Sequence, residues 1–262
     1  MSTNSQIPAS LSLDGLGPDA RSAFDLASSA GYSGIAIPTN HPELAPDQLS
    51  GTAQRHVQRI LAHKGLRLDS LRIAAPRTSL TDPATIDRTL DNARRAITLA
   101  RTLGAPTLSL YIGSLTDSKI PDSSLISALR ELAQQADAAG LNLALGADVT
   151  GKLATLLHAV DFDQARIHFD GAKQIAAGEN PLTLASDYAG HIGQFTASDA
   201  LRAGNALRIV ELGQGQLPLA QILHTLQEQN FRGPTIIDVR DIANPQAAAV
   251  HAADALRRAL QR

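Results

Sequence analysis

Three aspartates and a histidine carry most of the chemistry this chain could do. Asp148, Asp170 and Asp238 each fall at or just past the end of a short apolar run, and His168 precedes Asp170 by two residues. Carboxylates brought to one site repel each other unless a cation compensates, so the set calls for a metal ion or for Arg72 or Arg240 nearby. Oxygen-rich donors of this kind suit a hard divalent ion, among Mn²⁺, Mg²⁺, Zn²⁺ and Co²⁺. His168 ordinarily titrates near neutrality and is a candidate proton carrier. Buried in a barrel, the same residue would be a hydrogen-bonded core histidine.

These side chains need elements that bring them together, and residues 211–241 show the unit. Gly213 and Gly215 allow a tight path, and Pro218 suits a first helical position. Leu219, Ile222, Leu223 and Leu226 form one apolar stripe at i, i+3, i+4, i+7. Gly233-Pro234 then resets the chain into a buried strand, 236–239, that carries Asp238. Similar patterns predict strands at 11–14, 34–37, 71–74, 107–112, 142–147, 166–170 and 192–198. Helices are expected between them at 18–30, from a cap near Ser50 to Gly65, at 82–103, 121–139, 153–160 and 182–188. A closing helix runs from Asn244-Pro245 to 260. Eight strands alternating with helices over residues 1–262 predict one (β/α)8 TIM barrel, a single α/β domain.

Strand side chains alternate between two faces, which sorts polar from apolar residues. In 166–170, Ile167 and Phe169 share one face, and His168 and Asp170 the other. In the last strand Ile237 and Val239 oppose Asp238 and Arg240. Leu143, Leu145 and Ala147 oppose Ala144, Gly146 and Asp148. The apolar face must meet the helices. The inward set then includes Asp14, Arg72, Tyr111, Asp148, His168, Asp170, Gln194, Thr196, Asp238 and Arg240.

Those nearest the carboxyl ends of the strands line the mouth, where such barrels hold ligands. Tyr111, Lys173, Gln194 and Thr196 are candidates for substrate contact, and His168, Asp238 and Arg240 for proton transfer. Asp170, Asp238 and Asp148 are the candidates for a metal. Plainer roles stand beside these. Asp170 could cap the loop after it, Asp238 and Arg240 could form a simple ion pair, Lys173 could be solvated, and Tyr111 could plug the barrel. His41, in the long loop after the second strand, reads as a polar loop residue rather than a lid. The glycines at 213 and 215 lack the ending of a P-loop and read as a structural turn.

Composition excludes several classes. With 23 basic and 25 acidic residues the net charge is −2, which favours neither nucleic acid nor an anionic membrane. Cysteine is absent, so disulfides, thiolate metal sites and cysteine nucleophiles are ruled out. Aromatics make up only 3% of the chain, so the core must come from Ala, Leu, Ile and Val. No apolar run approaches the ~20 residues of a membrane span, and residues 1–10 lack the pattern of a signal peptide. A cytoplasmic globular protein is expected.

Several stretches together resemble the xylose isomerase-like barrels of the sugar-phosphate isomerase and epimerase group. They are AGYSGIAI, LRLDSLRI, AGLNLAL, RIHFDGAKQIAAGENP and LGQGQLPLAQILHTLQEQNFRGPTIIDV. The resemblance implies one divalent metal held by Glu, Asp, His and Glu at the ends of strands five to eight, the two glutamates moving protons beside a carbonyl. Matched onto this chain, the first Glu falls on Gly146, the Asp on Asp170, the His on Thr196 or Gln194, and the last Glu on Asp238. Lys173 stands where a His often follows the strand-six Asp. The glutamate pair is absent.

The implied function is a divergent sugar or sugar-phosphate isomerase or epimerase, using metal-assisted proton transfer on a carbohydrate-like ligand and no nucleotide cofactor. The alternative is an inactive barrel that binds a sugar-like ligand or a protein partner. A metal-dependent phosphodiester hydrolase of the endonuclease branch would need more histidines and a basic DNA face. The helix face 247–260 would serve a homo-oligomer or pack on the barrel.

Overall fold

The computed structural model describes residues 7–45, 49–74, 79–204 and 206–261. In chain order the elements are β1 (Ile7–Ser12), α1 (Ala20–Ala30), β2 (Tyr32–Pro38), α2 (Gly51–His63), β3 (Arg67–Arg72), α3 (Ile86–Leu103) and β4 (Thr107–Tyr111). They continue with α4 (Asp122–Ala138), β5 (Asn142–Gly146), α5 (Thr150–Val160), β6 (Ala165–Asp170), α6 (Gly171–Ala177), α7 (Pro181–Tyr188) and β7 (Ile192–Ala197). The last are β8 (Asp199–Ala203), β9 (Ala206–Val210), α8 (Leu219–Glu228), β10 (Thr235–Ile237) and α9 (Pro245–Leu260). Eight strands close into a parallel barrel in the order β1-β10-β7-β6-β5-β4-β3-β2. The predicted (β/α)8 architecture is therefore the observed one.

Local chemistry sets the helix ends. Asp19 caps α1 by accepting the Arg21 and Ser22 N–H groups, and Gly31 ends it in the left-handed region at φ 90°. Asn180 and Asn244 cap α7 and α9, each with proline at the first helical position. The helices lie on the outer face of the barrel through small and branched aliphatic side chains. Ala248, Ala249, Ala252, Ala253 and Leu256 of α9 are all buried. The Tyr32 hydroxyl, on β2, donates to the Ala249 carbonyl at 2.6 Å and ties α9 to the sheet. Phe169 and Phe195, register partners on β6 and β7, pack with ring centroids 5.7 Å apart. Each fully buried side chain of this size stabilises the fold by roughly 2 kcal/mol.

Several sequence expectations shift. β1 ends at Ser12, so Asp14 follows the strand, and β3 begins at Arg67 rather than near Leu71. β10 stops at Ile237, which leaves Asp238 and Arg240 just past its end. Pro218 is the capping residue of α8 rather than its first helical residue. Asp82 sits in the turn before α3, where its Oδ1 accepts the Ala84 N–H, and the helix itself starts at Ile86. Helix α6 and the antiparallel β8–β9 hairpin were not anticipated. The hairpin pairs Ala203 with Ala206 across a two-residue connection, a spacing that the residues after strand seven did carry. Among the described residues no helix is long and apolar enough to cross a membrane.

Candidate functional site

The barrel interior is polar, as alternation requires, and its side chains are bonded to one another. The Ser70 hydroxyl on β3 donates to Oε1 of Gln194 on β7 at 2.7 Å, a bond between strands that are not neighbours. Gln194 Nε2 lies 3.3 Å from His168 Nε2, and Thr196 Oγ1 lies 2.8 Å from the same atom. Since Ser70 holds the Gln194 carbonyl, the Gln194 amide is left to donate, which assigns His168 Nε2 as acceptor and puts the ring proton on Nδ1. Burial pushes the imidazole down to about 4; Asp170 opposes the shift, while Lys173, Arg240 and Arg72 add to it. Burial thus favours the neutral ring, which serves as a hydrogen-bonding group.

Above this layer each carboxylate has a partner. Asp170, at the end of β6, accepts the Ser198 hydroxyl at 2.7 Å and the Lys173 N–H at 3.2 Å through Oδ1. It caps α6, so the capping role is the one observed, through Lys173 rather than Gly171. Asp148 is bound by the loop after β4. It accepts the Leu115 N–H at 2.7 Å and the Ser114 hydroxyl at 2.5 Å. Burial alone would raise its pKa, but these bonds and those from Thr116 hold it below the ordinary value. Asp14 pairs with Arg72, whose Nε lies 2.6 Å from Oδ2.

Asp238 pairs with Arg240. Nη2 stands 2.8 Å from Asp238 Oδ2 and 4.0 Å from Asp170 Oδ2. The Arg240 N–H also donates to Asp238 Oδ1 at 3.0 Å. Burial lifts the Asp238 carboxyl to about 6 despite the guanidinium. Gly15, at φ 80°, holds the backbone here: a Cβ on it would stand 2.9 Å from Arg240 Cα.

Between Tyr111 and His168 lies a notch. A Cβ on Gly146 would meet Tyr111 Cδ2 at 3.5 Å and His168 Nδ1 at 3.6 Å, both ordinary contacts. The Lys173 ammonium sits over the Tyr111 ring, 4.0 Å from its centroid. His41 is buried; its Nδ1 accepts the Glu43 N–H at 3.3 Å, and its Nε2 has no hydrogen-bond partner. A cavity of about 720 Å³ opens at the opposite end, among Ser10, Asp69, Thr107, Asn142, Gly193 and Thr235. That is the face of a barrel that ordinarily serves stability.

Two residues outside the expected set organise the rim. Ser198 donates to Asp170 and accepts the Ala172 N–H at 3.0 Å. Asp199, fully buried, accepts the N–H groups of Gly213, Gly215 and Leu217 at 2.9–3.0 Å. The glycine loop is thus wrapped around a carboxylate of its own chain, the structural turn the sequence suggested. An acid directly after a barrel strand was the available signal for Asp199.

The donor set does not fit a divalent ion. Gly146 offers no atom, Thr196 is engaged by His168, and Asp148 by the 114–116 loop. The Arg240 guanidinium is paired with Asp238 and lies 4.0 Å from Asp170. Among the described residues, no three His, Asp or Glu side chains group as metal ligands. The expected trio of Asp148, Asp170 and Asp238 is not assembled.

Comparison with known sequences places this geometry. The profile of the xylose isomerase-like TIM barrel matches residues 24–259. The chain belongs to that family. Solved xylose isomerase-like barrels superpose over nearly the whole chain. A xylose isomerase domain protein from Planctomyces limnophilus has a TM-score of 0.82 at 19% identity, covering 97% of each chain. A xylose isomerase-like barrel from Mycobacterium smegmatis, in complex with magnesium, has a TM-score of 0.78 at 17% identity, covering 99% of this chain and 98% of the other. D-psicose 3-epimerase with D-tagatose, from Clostridium cellulolyticum H10, has a TM-score of 0.76 at 13% identity, covering 96% and 99%. At these identities the likeness shows the shared fold. No curated protein matches the chain.

Proposed function

We propose that this xylose isomerase-like barrel binds a small sugar-like carbonyl compound at its mouth and moves a proton next to the carbonyl without a divalent metal. The observation that carries the proposal is the missing side chain at Gly146, where the position of a Cβ lies 3.6 Å from His168 Nδ1 and 3.5 Å from the Tyr111 ring. A carbonyl oxygen seated there accepts a hydrogen bond from His168 Nδ1. The Asp238 carboxylate, lifted to about 6, takes the proton from the adjacent carbon. The electron pair of the broken C–H bond moves onto the oxygen, and the negative charge is met by His168 and by the Arg240 guanidinium. Returning the proton to the former carbonyl carbon, while the proton of the adjacent hydroxyl passes to the enolate oxygen, isomerises an α-hydroxy carbonyl compound; a proton delivered to the opposite face of the same carbon epimerises it. A carboxylate base with a neutral imidazole is a known arrangement for metal-free enolisation. Lys173 would hold an anionic substituent such as a phosphate.

The test is proton exchange in D₂O with EDTA present, followed by NMR over a panel of ketoses, keto-sugars and their phosphates. Deuterium incorporated beside the carbonyl, lost in Asp238→Asn, supports the reading. A second reading is favoured by the internal bonds that occupy Asp148, Asp170 and Asp238. In it the barrel binds a sugar-like ligand and transforms nothing. Saturable binding with no exchange at any pH would establish that reading instead.

A further inference from the structure

A family barrel with two buried aspartates at its mouth must neutralise them, and this chain does so from within. We propose that the guanidinium of Arg240 stands in for the divalent cation, so that Arg240 itself keeps metal ions off Asp170 and Asp238. The inference rests on the ligand site proposed above and concerns its charge rather than its substrate.

The geometry supports it in three ways. First, both carboxylates are almost completely buried, with side chains 5% exposed, and among the described residues the cation they share within 4.0 Å is Arg240. Two such groups without a cation would not both stay ionised. Second, Arg240 is held in place. Its backbone N–H is bonded to Asp238 Oδ1, and Gly15 packs against its Cα so closely that no side chain fits there. Third, among the described residues Arg72 is paired with Asp14 and the Lys173 ammonium sits over the Tyr111 ring. An arginine also differs from a metal in what it can do. It stays protonated, resists chelators and offers N–H donors, but it supplies one positive charge and no open coordination position for a carbonyl oxygen.

The experiment is Mn²⁺ titration, followed by the spin-resonance signal of the free ion, on the wild type, Arg240→Gln and Arg240→Lys. Each protein is first checked for a cooperative unfolding transition. The wild type is expected to leave the Mn²⁺ signal unchanged. Arg240→Gln, with two carboxylates uncovered, is expected to bind about one ion per chain at a Kd on the order of 10⁻⁴–10⁻³ M. Arg240→Lys keeps the charge and is expected to behave as wild type. Stoichiometric binding by the wild type, lost in Asp170→Asn, overturns the proposal. So does an Arg240→Gln variant that folds and still ignores Mn²⁺, because the arginine would then not be what excludes the ion. Should the Gln variant fail to fold, Arg240→Ala takes its place and is read by the same two outcomes. Failure here leaves the D₂O exchange result standing, so the two proposals fall separately.

Discussion

Across the β6–β7 pair, His168 Nε2 and Thr196 Oγ1 stand 2.8 Å apart, inside the barrel and below its mouth. The contact engages on β7 a hydroxyl where the family resemblance leads one to expect an imidazole ligand. It also fixes the neighbouring imidazole on β6 in one orientation, its other nitrogen turned to Gly146.

His168 should therefore remain neutral through the physiological range. Its folded pKa is depressed to about 4 from an ordinary 6.5, so the stability it contributes is present above the unfolded value and is lost as pH falls through the folded one. NMR of the imidazole nitrogens should show no titration between pH 8 and about pH 5. A midpoint near 6.5 would mean that the ring is solvated.

Asp238 works in the opposite sense over the same range. Its carboxyl is raised from 3.8 to about 6, mainly by burial. The stability that comes from its bound proton is complete below about pH 4 and is lost as pH rises through 6. Two pH units correspond to on the order of 3 kcal/mol. Urea unfolding of wild type and Asp238→Asn from pH 4 to pH 7 should diverge by about that amount, with the wild type losing ground as pH rises. Parallel profiles would contradict the assignment.

Asp199 should be among the costliest polar positions to change. Replacing it with Ala removes the acceptor of the Gly213, Gly215 and Leu217 N–H groups, the last of these bonds buried, a loss on the order of 2 kcal/mol in urea denaturation. A loss under about 1 kcal/mol would show that the glycine loop holds its path without the carboxylate.

Two glycines at the mouth should respond differently to alanine. At Gly15, φ is 80° and the new Cβ would press on Arg240 Cα, so Gly15→Ala is expected to cost about 1–3 kcal/mol. At Gly146 the Cβ meets only ordinary contacts, and Gly146→Ala should change stability by less than about 1 kcal/mol. The same variant narrows the proposed notch, so it should weaken ligand binding while leaving the unfolding midpoint in place.

Period and punctuation alone determined the barrel. Apolar runs, Gly and Pro breaks and stripes such as Leu219, Ile222 and Leu226 are local signals, and eight repeats of them admit few other folds. Alternation likewise predicted that His168, Asp170, Gln194 and Thr196 share an inward face. Ends were harder to read, because a short strand buried on both sides stops where its neighbour stops pairing. β10 thus leaves Asp238 outside. Only the tertiary structure decided what the polar residues do, since their partners come from other strands and loops. Asp148 is claimed by Leu115 and Ser114, Gln194 by Ser70 and His168, and Asp199 by Gly213 to Leu217. Whether a buried carboxylate chelates, caps or pairs depends on which donor the fold delivers within about 3 Å, and that distance is written in no single stretch of the chain.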